Sequence, residues 1–291
     1  MAAPTITHFT IPIQPIGKNP GGSLTCTEPS PKIYLLTISI PPDNRLTIHS
    51  CQALLDALDL LEFSPTICPS KDGVVVTTSA IPKFYSNGLD LELAMSNADF
   101  MPHSLYKLFA RFLTFPMPTV ALLNGHAFAA GIMLAMHHDY RVMNAQKGFV
   151  CINELDFGVP LKPAMSAIFR IKTVPTVYRR IVLEAHRFGG EEALESGIVD
   201  ALGGFEEVVR LVEERKLREK GRSGIYGVMK AEMYRETLEG YLSVEGHFRE
   251  EERAVKEQGE KEDLRRERGE ERVKELVGGG GGGGGKLGAK L

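Results

Sequence analysis

The sequence predicts an α/β core followed by a smaller helical subdomain, and three observations carry that prediction. Apolar runs of strand length alternate with helical periodicity between residues 33 and 200, the pattern of a sheet covered by helices. The runs at 33–40, 73–79 and 119–123 read as strands, and the one at 73–79 is too apolar to have a wet face, as expected of a strand covered on both sides. From residue 205 to 242 the pattern is helical throughout, with Val208, Val209, Leu211 and Val212 as the apolar stripe.

Residues 1–31 contain Pro4, Pro12, Pro15 and the turn signal Pro20-Gly21-Gly22, and read as an irregular arm with one short strand near Leu24. The strand at 33–40 is stopped by Pro41-Pro42. Asp43-Asn44-Arg45-Leu46 is a loop, and Thr47 caps a helix reaching residue 62, with Leu54, Leu55, Leu58 and Leu61 on one face. The strand at 73–79 runs into Phe84-Tyr85-Ser86-Asn87-Gly88-Leu89-Asp90, a glycine-containing loop whose Asp90 reads as a helix cap or loop brace. A helix at 105–115 stops at Pro116.

The strand at 119–123 breaks at Asn124-Gly125 and resumes as small residues leading into an apolar helix to Ala135. A helix start this bare presents unpaired N–H groups and the positive end of the helix dipole, so it can hold an anion or a developing oxyanion. Short strands at 140–143 and 149–152 precede the loop 153–160, which carries Asn153, Glu154 and Asp156. Helices follow at 164–171 and 174–185, then a short helix from Gly190 ended by Gly197. The expected division is an arm at 1–31, the α/β core at 32–204, the helical subdomain at 205–249 and a tail at 250–291. In that tail, 250–277 reads as a solvated charged helix and the eight glycines 278–285 as a flexible tether.

Composition narrows the function. A formal net charge of −3 and 24% charged residues argue against nucleic acid or a membrane surface as partner, leaving small-molecule chemistry. The longest apolar stretch, 119–136, has Asn124, Gly125 and His126 inside it and reads as soluble core rather than a membrane span. Cys26, Cys51, Cys68 and Cys151 form no CxxC pair, and the N-terminus lacks the basic-then-apolar pattern of a signal peptide. Both facts point to reduced thiols in an intracellular compartment. His126, His137 and His138 have no carboxylate-rich metal spacing around them, so structural roles are expected and no metal.

Four stretches in order and spacing, 84–90, Asn124-Gly125 through Ala129-Ala130-Gly131, 149–160 around Glu154, and 190–200, resemble the enoyl-CoA hydratase/isomerase (crotonase) superfamily. Within it the chain is most similar to peroxisomal Δ3,Δ2-enoyl-CoA isomerases. The resemblance implies a crotonase-like spiral of ββα units with a C-terminal helical subdomain that builds a homotrimer or hexamer. It implies an acyl-CoA substrate, with coenzyme A arriving as part of that substrate and no separate cofactor. The backbone N–H groups of Leu89 and Ala130 would hold the thioester oxygen. It also assigns Arg45 and Leu46 to contacts with CoA, Tyr85, Ser86, Asn87 and Gly88 to the acyl-thioester channel, and Asn153 to contact with substrate or orientation of the base.

The family places catalytic carboxylates at two positions, which here hold Met133 and Glu154. Hydration generally asks for two carboxylates, whereas a 1,3-proton shift can use one base twice. The expected activity is therefore conversion of 3-enoyl-CoA to 2-enoyl-CoA in the oxidation of unsaturated fatty acids, with Glu154 as the single acid/base. The alternatives are hydratase chemistry with Asp156 or water in the second role, or a non-catalytic acyl-CoA-binding protein of the same fold. Ala289-Lys290-Leu291 resembles the C-terminal address read by the peroxisomal import receptor, so the expected location is the peroxisomal matrix.

Overall fold

A computed structural model describes residues 5–242, 256–257, 259–268 and 270–271. The chain divides into two compact units, Met1–Val244 and Glu245–Leu291. In the second unit the described residues are helical and exposed. They carry the ion pairs Arg266–Asp263 at 3.2 Å and Lys256–Glu260 at 3.9 Å, contacts worth a few tenths of a kcal/mol each. The glycine run and Ala289-Lys290-Leu291 lie outside the described residues.

The first unit is organised by two sheets. A seven-stranded sheet has the order β1 (Ile6–Ile13), β2 (Gly22–Ser30), β3 (Ile33–Ser39), β4 (Val74–Ser79), β6 (Thr119–Leu123), β8 (Tyr140–Met143), β10 (Ala201–Leu202). It is antiparallel through β3 and parallel from there on. A three-stranded parallel sheet has the order β5 (Phe84–Ser86), β7 (His126–Phe128), β9 (Val150–Cys151).

The chain reaches this arrangement by repeating one move. Each pass lays one strand in the large sheet and the next in the small sheet, then returns through helix. β4 and β5 lead to α2 (Leu91–Ser96) and α3 (Tyr106–Thr114); β6 and β7 lead to α4 (Ala130–His137); β8 and β9 lead to α5 (Pro163–Lys172). This is a spiral of ββα units. Every residue of β4 and β6 is buried, consistent with cover on both faces. One core packs Ile33, Val74, Val120 and Val142 against Val208 and Leu211 of α8 (Phe205–Glu214).

α1 (Ile48–Phe63) begins as the sequence indicates, with Thr47 as cap: Ser50 N–H donates to Thr47 Oγ1 at 3.2 Å and Thr47 N–H donates to Ser50 Oγ at 2.7 Å. Helices α6 (Pro175–Leu183) and α7 (Gly190–Glu195) also fall where periodicity puts them.

Two expectations are corrected. Residues 6–30 form the hairpin β1–β2 rather than an irregular arm. Pro12 is tolerated because β1 is the edge of the sheet, and Pro29 falls where the β2–β3 register slips between Thr27 and Ser30. The helical run from 205 is broken into α8, α9 (Tyr226–Met233) and α10 (Arg235–Leu242). Gly221 lies between α8 and α9, where a Cβ would meet Lys71 O at 2.5 Å, and Gly224 follows it at φ +71°. Only glycine suits either position without strain.

Candidate active site

The small sheet explains why distant motifs meet. Its three strands are parallel and short, and each is followed within two or three residues by a group singled out in the sequence. β5 ends at Ser86 and delivers Leu89; β7 ends at Phe128 and delivers Ala130; β9 ends at Cys151 and delivers Glu154. All three groups therefore gather at one end of one sheet, the carboxyl end, where ligands of parallel sheets generally bind.

Among the described residues, backbone geometry turns two donors there away from their neighbours' acceptors. Leu89 bridges Leu46 in parallel fashion: Leu46 N–H donates to Gly88 O at 2.8 Å, and Asp90 N–H donates to Leu46 O at 3.0 Å. Those bonds use the groups on either side of Leu89, so its own N–H points away from Leu46. Ala130 is the first residue of α4, and the helical ladder starts with Met133 N–H donating to Ala129 O at 3.1 Å, which leaves Ala130 N–H ahead of it. The two donors are neighbours, because a Cβ added to Gly88 (φ +88°) would lie 3.0 Å from Ala129 Cβ and 3.4 Å from Ala130 N. A Cβ on Gly131 would lie 2.4 Å from Ser86 O, so α4 starts in direct backbone contact with the end of β5. Ala129 itself sits at φ +48°, ψ −124°, an unfavourable conformation for a residue with a Cβ.

The loop 43–46 stitches this end of β5 in place. Asn44 is fully buried at φ +53°; its Oδ1 accepts from Ile40 N–H at 2.7 Å, and its Nδ2 donates to Ser79 Oγ at 2.5 Å and Tyr85 O at 3.2 Å. Ser86 Oγ donates to Asn44 O at 2.7 Å. Asp43 Oδ2 accepts from Asn87 Nδ2 at 2.7 Å and from Arg45 Nε at 3.2 Å, so one carboxylate holds both side chains.

A cavity of about 370 Å³ opens at this point, and Arg45, Asn87, Leu89, Ala129, Asn153 and Glu154 all line it. Glu154 sits in a turn closed by its own carbonyl, which accepts from Phe157 N–H at 3.2 Å and Val159 N–H at 2.9 Å. Although the residue is only half-buried, Glu154 Oε2 and the neighbouring Asn153 Oδ1 are buried atoms with no hydrogen-bond partner among the described residues. Burial pushes the Glu154 carboxyl up from 4.5 to about 7, into the range where a carboxylate can both take and return a proton near neutral pH. Among the described residues Glu154 is the sole carboxylate lining the cavity.

Other singled-out residues fall elsewhere. Leu46, Tyr85, Ser86, Gly88 and Ala130 are not among the cavity's lining residues: they are buried in the fold, with Tyr85 Oη on Thr77 Oγ1 at 2.7 Å. Met133 is fully buried and Asp156 is exposed, and neither lines the cavity. Asp90 caps α2, its Oδ1 accepting from Leu93 N–H at 3.1 Å. His137 and His138 are buried and diverge, His137 toward Tyr241 Oη at 2.8 Å and His138 toward Thr77 Oγ1 at 2.9 Å. Burial pushes both down to about 3, so they stay neutral. Cys151 is buried, its Sγ 3.1 Å from Ala185 O, and burial pushes the thiol up to about 11, the opposite of what a nucleophile needs.

Sequence reading missed Asp43 and the apolar lining residues Met101, Phe157 and Met165. Asp43 carried a signal, since Asp-Asn in a loop after Pro-Pro is a turn stabilised by its own side chains. Met101 did not, because it enters the cavity from a π-turn, Met101–Leu105, that periodicity does not reveal.

Glu154 and Leu89 line one cavity, and Ala130 follows the lining residue Ala129 without lining it itself; a carboxyl and backbone donors so placed can take up a proton and hold a developing oxyanion. Comparison with known proteins gives the family. The family model for enoyl-CoA hydratase/isomerase matches residues 28–270, and the chain belongs to that family. It is similar to the peroxisomal enoyl-CoA delta isomerase 1 of Arabidopsis thaliana, 33% identical over 72% of this chain and 90% of that one. The peroxisomal enoyl-CoA delta isomerase 2 of the same plant is 34% identical over 76% of this chain and 96% of that one. A carnitinyl-CoA dehydratase of Shigella flexneri is 29% identical over 51% of this chain and 54% of its own length. Among solved structures, the apo enoyl-CoA isomerase of Mycobacterium tuberculosis superposes with a TM-score of 0.67 at 25% identity, covering 78% of this chain and 98% of that one. The fold is thus the crotonase fold.

Proposed function

We propose that the protein is an acyl-CoA double-bond isomerase that converts 3-enoyl-CoA to 2-enoyl-CoA. The observation that carries the reading is the single carboxyl, Glu154, lining a cavity beside the N–H groups of Leu89 and Ala130. Ionised Glu154 takes a proton from C2 of the substrate, and the electron pair moves into a dienolate whose negative oxygen is held by the two N–H donors. Glu154 then returns the proton to C4, leaving the conjugated thioester and the original carboxylate. Two aligned donors and the dipole of α4 stabilise such an oxyanion by several kcal/mol in a dry site. The apolar lining keeps water from adding to the conjugated product, and Arg45 and Asn87 hold the CoA portion at the mouth.

Hydration needs a second acid or base, and the position where relatives of the family carry it is Met133 here. The assay follows ultraviolet absorbance of the conjugated thioester formed from 3-enoyl-CoA, beside formation of 3-hydroxyacyl-CoA from 2-enoyl-CoA. Isomerisation lost in Glu154→Ala is the expected result; full activity in that variant, or hydration as the dominant reaction, overturns the reading. Tight acyl-CoA binding without turnover of either substrate would instead mark a non-catalytic protein.

The proposed setting is the peroxisomal matrix, supported by the peroxisomal names of two similar plant isomerases and by Ala289-Lys290-Leu291. Deleting that tripeptide should abolish import through the peroxisomal receptor, as seen by imaging. Among the described residues no helix is long and apolar enough to cross a membrane. The proposed assembly is a homotrimer or a pair of trimers, to be read by light scattering.

A further inference from the structure

A single residue, Ala129, joins β7 to α4. At φ +48° and ψ −124° it occupies a region that glycine enters freely and alanine only with strain. Its neighbours hold it there. Phe128 pairs with Cys151 at the end of β9, Ala129 N–H donates to Cys151 O at 2.9 Å, and Ala129 O accepts from Met133 N–H at 3.1 Å. The start of α4 cannot slide to relieve the turn, because a Cβ on Gly131 would already lie 2.4 Å from Ser86 O. Glycine would make this turn without strain, yet the position carries a methyl group.

That methyl lies among the reacting groups. Ala129 lines the cavity, and both of its polar backbone atoms are bonded within the fold, so what it presents there is its Cβ. The Cβ lies 3.0 Å from the point where a side chain on Gly88 would begin, beside the residue that precedes the Leu89 donor. Ala130, the other donor, follows it directly in the chain. On its far side its N–H is tied to Cys151, on the strand that leads to Glu154. The methyl therefore stands between the two oxyanion donors and the base. A thioester whose oxygen meets those donors while its C2 proton faces the carboxylate must pass its first two carbons through that gap.

Resting on the isomerase reading, we infer that the Ala129 methyl is a specificity element: it packs against C2 and restricts the site to acyl-CoAs unbranched at that carbon. A second methyl group, on the substrate, competes for the same space, and a backbone pinned on both sides cannot yield to it. The strain at Ala129 persists because the two neighbouring strands over-determine its conformation. The same rigidity sharpens the discrimination.

The test titrates saturated acyl-CoAs of one chain length into the full-length protein by calorimetry: unbranched, methylated at C2 as separate epimers, and methylated near the far end of the chain. Saturated ligands report on this contact whether or not the protein turns over, so failure of the isomerase reading and failure of this inference are separable. The wild type should bind the weaker C2 epimer about tenfold or more below the unbranched chain, and the distally branched chain within about threefold of it. Ala129→Gly should close most of the gap between that epimer and the unbranched chain, a ratio that a general loosening of the site would not move. Ala129→Ser keeps the Cβ and should keep the gap. Equal affinity for unbranched and C2-branched chains in the wild type, a gap unchanged in Ala129→Gly, or a gap lost equally in Ala129→Ser overturns the inference.

Discussion

Replacing Glu154 by Gln should make the protein more stable at alkaline pH while abolishing its activity. Burial holds the folded carboxyl at about 7 against an ordinary 4.5, and among the described residues Oε2 has no donor to stabilise a charge. In the unfolded chain the same group ionises at its ordinary value. Between pH 4.5 and 7 the folded protein therefore keeps a proton that the unfolded chain has released. Stability falls as pH rises through that window, and above it the charged carboxylate costs the fold about 3 kcal/mol at most. Glutamine keeps the shape and carries no charge. Melting temperatures of wild type and Glu154→Gln should coincide near pH 4.5, and the variant should melt roughly 5–10 °C higher at pH 8, given about 2–4 °C per kcal/mol for a domain of this size. A difference that is the same at both pH values would refute the claim that Glu154 is a desolvated carboxyl.

The same ionisation sets the rate. As kcat/KM requires ionised Glu154, it should climb about tenfold per pH unit below 7 and level off above it; a profile flat from about pH 5.5 to 8 would contradict it. Ala129→Gly should relieve the strain at φ +48° and raise the melting temperature, with about 1 kcal/mol gained after glycine's own entropy cost; a lower melting temperature would show that no strain is held there. Asn44→Ala removes the buried amide that ties Ile40, Ser79 and Tyr85 together and puts alanine at φ +53°. It should cost about 3 kcal/mol or more in chemical denaturation, and an unchanged midpoint would remove the stitch from the account.

Much of the fold was legible because the large sheet is built from buried parallel strands, whose continuous apolar runs stand out, and because Thr47 and Asp90 are caps of recognisable type. Of the small sheet only β9 was read, within the short strand at 149–152; β5 and β7 are three residues long and no alternation can be read over that span. The stretch 122–135 read as strand, turn and helix; the structure inserts β7 between turn and helix, and that strand is what brings Ala130 beside Gly88. Backbone donors were legible as a bare helix start, but the free N–H of Leu89 depends on its bridge to Leu46, a contact between segments 43 residues apart in sequence. Tyr85 and Ser86 share a loop with Leu89 yet point into the core, because Thr77 and Asn44 supply their partners. The apolar lining residues were invisible for a related reason: α2 is only six residues long, too short for its periodicity to stand out, and its Leu91 and Met95 make sense only beside Met101 and Met165.

The central claim is that one carboxyl carries a proton between two carbons of the same substrate. Deuterium placed at C2 of a 3-enoyl-CoA, followed by mass and NMR analysis of the product after brief turnover in ordinary water, tests it most directly. Transfer by Glu154 alone predicts that part of the label appears at C4 of the conjugated product, and that Glu154→Gln shows neither product nor transfer. Product formed at the wild-type rate in that variant, or label that never reaches C4 while 2-enoyl-CoA is hydrated at a comparable rate, would contradict it.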